Sequence, residues 1–156
     1  MATHSGGPHN HPQSTVKIAG HPLHPMLVQF PIVCFILTFV FDILYTRGQA
    51  DAAPWTIWLL GIGLGMGALA AVAGLTDFLG EKRIQGRDAI EHAIANVTAV
   101  VLEVVNLFLR VKNPDSIAST GVYISLVVVL ILIYSGWKGG ALVYKHGMGI
   151  DEGTAL

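Results

Sequence analysis

Charge is what this sequence has least of. Only 12% of its residues are Asp, Glu, Lys or Arg, while 53% are hydrophobic; a soluble domain carries about 25% charged residues. The mean hydropathy of +0.60 reflects the same deficit. Part of this chain's surface is made for an apolar solvent. The formal net charge of -1 leaves no basic stripe for a phosphate backbone, so no nucleic acid is expected as a partner. Cysteine is nearly absent: Cys34 stands alone inside an apolar run. No internal disulfide can form, and no C-x-x-C-H sequence is present for covalent haem attachment. No serine or cysteine has an evident base beside it, so a hydrolytic nucleophile is not indicated and no catalytic residue is assigned. Period-two alternation is missing as well, which leaves an all-α reading. A chain of 156 residues has room for one domain.

What the sequence has is long apolar runs. A hydrocarbon core of about 30 Å takes about 20 apolar residues in a helix, and four segments qualify, at about 25–45, 55–79, 89–109 and 122–144. Short polar connectors make successive helices antiparallel neighbours, so the expected fold is an integral membrane four-helix bundle, up-down-up-down, over residues 20–150. Residues 1–19 are rich in His, Gly and Pro and have no apolar h-region. A cleaved signal peptide is therefore not expected. This stretch reads as a flexible tail, with His4, His9 and His11 either solvated or loosely metal-binding, and 151–156 as a C-terminal tail. Lys17, Lys82, Arg83, Arg87 and Lys145 fall on the side of both termini, against Arg47, Arg110 and Lys112 on the other. The positive-inside rule then puts both termini in the cytoplasm. The second helix carries Gly61, Gly63, Gly65, Gly67 and Gly74, with Ala70 and Ala71 among them. Such small residues allow close helix packing, room for a flat cofactor, or self-association of the chain.

Ionisable groups inside a bilayer cost on the order of 3 kcal/mol each on insertion scales, so their placement is informative. His92, Asn96, Glu103, Asn106 and Arg110 fall within an arc of roughly 80° on one helix. That seam must look into the bundle, because lipid cannot satisfy it. His24, His92 and His146 all lie at one membrane face, with His21 just outside and Asp77 and Glu81 at the end of the second helix. Convergence of imidazole and carboxylate from several helices is how bundles hold metals and haem. Single histidines there can equally bond headgroups or helix ends, and Asp77 can cap a connector or pair with Lys82 or Arg83. Glu103 and Lys138 fall at similar depth and can pair, or Lys138 can snorkel outward. Asp42 lies near the opposite face, within reach of Arg47 or Arg110. The seam serves either structural ion pairs or a proton path.

The stretch Gly20-His21-Pro22-Leu23-His24-Pro25 is stiffened by its prolines, with Pro25 suited to a first helical turn and Pro31 expected to kink the helix. This HPLHP sequence with Phe30-Pro31, the Gly74-Leu75-Thr76-Asp77 end of the second helix, His92 opening the third, Gly136-Trp137-Lys138-Gly139-Gly140, and Tyr144-Lys145-His146-Gly147 together resemble the bacterial domain-of-unknown-function family 2231, over roughly residues 20–150. The resemblance implies a four-helix protein of the bacterial inner membrane. Some relatives occur with Rieske-type or quinoprotein dehydrogenase modules, which implies haem or electron transfer to quinone. It also implies a periplasmic C-terminus in some relatives, against the charge count. Lys138 departs from the apolar residue expected there.

Three functions stay open. One is a b-type haem electron-transfer protein linking a redox partner to the quinone pool. It would use His24 and His92, or His92 and His146, as axial ligands, Asn96 beside them, and Lys82, Arg83, Arg87 or Lys145 near the propionates. Another is a non-haem site in which His21, His24, Asp77, His92 and His146 bind a transition-metal ion. The third is a cofactor-free structural subunit of a larger membrane complex. A stand-alone enzyme is the lesser expectation.

Overall fold

The computed structural model describes residues 11–149. The expectations for His4, His9 and the 151–156 tail lie outside the described residues.

The chain enters through a short antiparallel hairpin, β1 (Lys17–Ile18) and β2 (His21–Pro22). Its turn, Ala19-Gly20, has positive φ at both positions, 50° and 84°. That backbone suits the right-handed twist of a two-residue hairpin and is easy for Gly20 alone. Four helices follow: α1 (Leu23–Thr46), α2 (Ala52–Gly80), α3 (Arg87–Lys112) and α4 (Thr120–Tyr144). Each is long and apolar enough to cross a membrane, and each overruns its expected span only at the ends, where polar residues still satisfy helix geometry. Pro25 falls in the first turn of α1, where an N–H would have no helical acceptor. α1 then runs unbroken through Pro31.

The packing is that of two hairpins. α1 lies most closely on α2 and α3 on α4, while α1–α4 and α2–α3 meet more loosely. Gly63 shows why the first pair is tight: a Cβ there would lie 2.6 Å from the Phe35 ring. One residue from each helix, Phe35, Leu60, Ala99 and Val128, closes the middle of the bundle. Outside, large apolar side chains such as Ile62, Val72, Val97 and Ile133 are more than half exposed. Exposed Trp55, Trp58 and Tyr123 ring one end and Trp137 and Tyr144 the other, as aromatic residues do at membrane–water interfaces.

The N-terminal boundary differs from expectation. Residues 11–16 do not lead away from the bundle but lie across its mouth as a strap. Val16 O accepts from Leu23 N, and Pro12 O accepts from Gly149 N at 2.9 Å.

Candidate functional site

The expected seam on α3 does face inward, and it divides into two parts. Toward the end of α1 and the start of α2, Asp42, Glu103, Asn106, Arg110 and Ser125 are completely buried. Arg110 donates to Asp42 through both terminal nitrogens, Nη2–Oδ2 at 2.7 Å, and through Nε to Asn106 Oδ1 at 2.9 Å. Ser125 Oγ accepts from Arg110 Nη2 and Asn106 Nδ2, both at 3.0 Å. Of the two guanidinium partners considered for Asp42, Arg110 is the one in contact. Ser125 gave no signal in the sequence beyond being a hydroxyl on α4.

Toward the mouth, the seam becomes a pair of imidazoles. His24 lies in the first turn of α1, and its Nδ1 donates to the Ala70 carbonyl on α2 at 2.8 Å. His92 sits in α3, and its Nδ1 donates to the Ser135 carbonyl on α4 at 2.9 Å. A carbonyl oxygen only accepts, so both rings carry the proton on Nδ1 and a lone pair on Nε2. Each ring packs closely against a glycine one turn beyond that carbonyl. A Cβ at Gly74 would fall 2.8 Å from His24 Nδ1, and one at Gly139 would fall 3.0 Å from His92 Cε1. The two hairpins thus repeat one device: a histidine on the first helix, held by a carbonyl and a glycine of the second. The ring centres are 6.2 Å apart with planes at 89°.

Asn96 completes the His92 side. Its Nδ2 donates to His92 Nε2 at 3.0 Å, and its Oδ1 accepts from the Ser135 hydroxyl at 2.9 Å. His24, Gly74, His92, Asn96 and Gly139 line a cavity of about 500 Å³, with Ser14 and Met148 also on its wall. A second, apolar cavity of about 180 Å³ shares His24 and Asn96 and reaches exposed Val97 and Val101 between α2 and α3.

Other candidates fall elsewhere. Asp77 faces the N-terminal strap rather than Lys82 or Arg83. It accepts from the Ser14 hydroxyl at 2.9 Å and from the N–H groups of Thr15 and Val16 at 2.7 and 3.1 Å, and so latches the strap. Lys138 does not reach Glu103; it pairs with Asp88 at 2.9 Å and Glu91 at 2.6 Å, because α4 turns it toward the first turns of α3. His146 pairs with Asp88 at 3.1 Å on the partly exposed rim, away from the imidazole pair, and His21 is exposed on β2. The five groups considered for a metal therefore do not converge. Among the described residues no three His, Cys, Asp or Glu side chains are close enough together to hold a metal ion. Of the four rim cations considered for propionates, Lys82, Arg83, Arg87 and Lys145, three have carboxylate partners: Arg83 on Glu81, Arg87 on Glu91, Lys145 on Asp88. The Arg83 guanidinium holds the Glu81 carboxyl down at about 2.

Four apolar helices, a lipid-facing belt and a polar interior define a multi-pass membrane protein in contact with the bilayer. Residues 20–152 match the family described as predicted membrane protein (DUF2231), and the chain belongs to that family. No curated protein and no solved structure matches the chain significantly.

Proposed function

We propose that the protein is a b-type haem-binding electron-transfer subunit of a bacterial inner (plasma) membrane, exchanging electrons between a redox partner and the quinone pool. The observation that carries this reading is the His24–His92 pair. These two rings, from opposite hairpins and with centres 6.2 Å apart, would hold the haem iron. Each Nδ1 is tied to a backbone carbonyl, the arrangement that fixes the tautomer and orients the ring of a ligating histidine; on His92 the Nε2 lone pair is bonded by the Asn96 amide. Gly74 and Gly139 give the two imidazoles room that a Cβ would take, and a cavity of about 500 Å³ adjoins both rings, within the range of small-molecule sites.

Bound haem would supply one-electron transfer, which ligation by two histidines favours over oxygen chemistry. The chain's own residues would orient and seal. Ala70 and Ser135 hold the imidazoles, the strap on Asp77 covers the aqueous side, and Asn96, now bonded to His92 Nε2, would stand beside the held group. The apolar cavity between α2 and α3 offers a quinone a path from the bilayer toward His24 and Asn96.

The test is a dithionite-reduced minus oxidised absorbance spectrum of the purified protein, with pyridine extraction. A sharp α-band from about one haem per chain, lost in both His24→Ala and His92→Ala while the bundle stays helical, is the expected result. A flat spectrum from protein expressed with ample haem would sink the reading. One observation favours a cofactor-free structural subunit instead: His92, Asn96 and Ser135 already satisfy one another in a closed ring of hydrogen bonds. Co-purification with defined membrane subunits and no chromophore is the outcome that alternative requires.

A further inference from the structure

We propose that Glu103 is a proton-binding site inside the membrane: a carboxylic acid that holds its proton while Asp42, in the same buried network, is ionised. The argument is one of hydrogen bonds and charge. Asp42 and Glu103 are both completely buried, and among the described residues one cation, Arg110, lies near them. Arg110 gives Nη1 and Nη2 to Asp42, Nη2 also to Ser125, and Nε to Asn106. Glu103 takes one bond from this system, on Oε2 from the Asn106 amide at 2.8 Å. Its Oε1 is buried with no hydrogen-bond partner among the described residues.

Two ionised carboxylates against one guanidinium would leave a net negative charge in the bundle interior, held by a single neutral amide. An ionised carboxylate so placed is far more costly than its neutral form, and binding a proton is the ordinary remedy. The charged groups that reach Glu103 are Arg110 on its own helix and Asp42 on α1. α2 has no ionisable side chain except Asp77, at the opposite end, and α4 contributes the Ser125 hydroxyl to the network. Asp42 already has the guanidinium in a two-point bond, the arrangement that suits an ionised carboxylate. The proton therefore belongs on Glu103, at the orphan oxygen. This site lies about 10 Å along α3 from Asn96, at 1.5 Å per residue, and does not depend on any cofactor being bound.

Infrared spectroscopy of the protein reconstituted in phosphatidylcholine vesicles at neutral pH tests this directly. The expected result is a carbonyl stretch of a protonated carboxylic acid, above the amide band, that moves to lower wavenumber in deuterium oxide. It should vanish in Glu103→Gln, which keeps the shape and the Asn106 contact without the acid. Should that variant fail to fold, Glu103→Asp should shift the band rather than remove it. Absence of any such band from the unaltered protein, or a band unmoved by these substitutions, would overturn the proposal.

Discussion

The two ends of the bundle treat buried polar groups in opposite ways. At the end where Asp42 meets Arg110, the polar atoms of three helices point at one another and are wholly enclosed. At the mouth, two imidazoles are aligned from behind by backbone carbonyls, and a cavity is left beside them. The first arrangement uses polarity to fix how the helices dock. The second fixes side chains and leaves space for something else. Burial of ionisable groups in a membrane helix is therefore not one signal, and the neighbouring volume distinguishes its two uses.

The contrast can be broken most forcefully at Arg110. Arg110→Met leaves Asp42 buried without its cation and should cost about 3–5 kcal/mol, read as earlier unfolding in a detergent–SDS titration. Adding Asp42→Leu should recover most of that loss; failure to recover would mean the pair does more than neutralise itself. At the mouth, Gly74→Ala and Gly139→Ala push a methyl against the imidazoles and should cost about 1–3 kcal/mol. On the haem reading proposed above, the loss should appear chiefly as weaker haem retention. On the same reading Gly61→Ala and Gly65→Ala, where a Cβ meets nothing within 4 Å, should retain haem fully, and equal losses at all four positions would erase the distinction between lined and lipid-facing glycines.

The strap sharpens the comparison further. Asp77→Asn keeps an acceptor but removes its charge, weakening three hydrogen bonds by about 1 kcal/mol in total. Hydrogen exchange at the Thr15 and Val16 amides should quicken while the end near Asp42 is unaffected. The smallest effect is expected from pH. Because Arg83 lowers the Glu81 carboxyl to about 2, that pair stabilises fully above the ordinary carboxylate range and is lost as pH falls from about 4 toward 2. Protection of the Gln13 amide, which donates to Glu81, taken relative to its intrinsic exchange rate at each pH, should fall as pH drops through that interval and stay level above it.

The helices and the inward seam were legible because hydropathy and a 100° period are properties of sequence alone. His92, Asn96, Glu103, Asn106 and Arg110 needed only their spacing. The pairing of His24 with His92 was one option among the histidines at that face, since depth does not give helix rotation. Rotation also decided that Lys138 meets Asp88 and Glu91 and that His146 stays on the rim. One readable clue was passed over: Ala70 with Gly74 and Ser135 with Gly139 have the same spacing, and each glycine ends up under an imidazole. The strap was missed because tail-like composition at residues 11–16 says nothing of the Asp77 carboxylate that gathers their donors.

The doubled device has a consequence for assembly. Since each hairpin supplies one imidazole with its own carbonyl and glycine, neither half can grip a two-sided ligand alone. A molecule held by both would rivet the loosely packed α1–α4 and α2–α3 seams, and the joined state would gain stability with ligand concentration by mass action. Two chains severed at the Lys82–Ile84 turn and produced together would then depend on that rivet far more than the intact protein does.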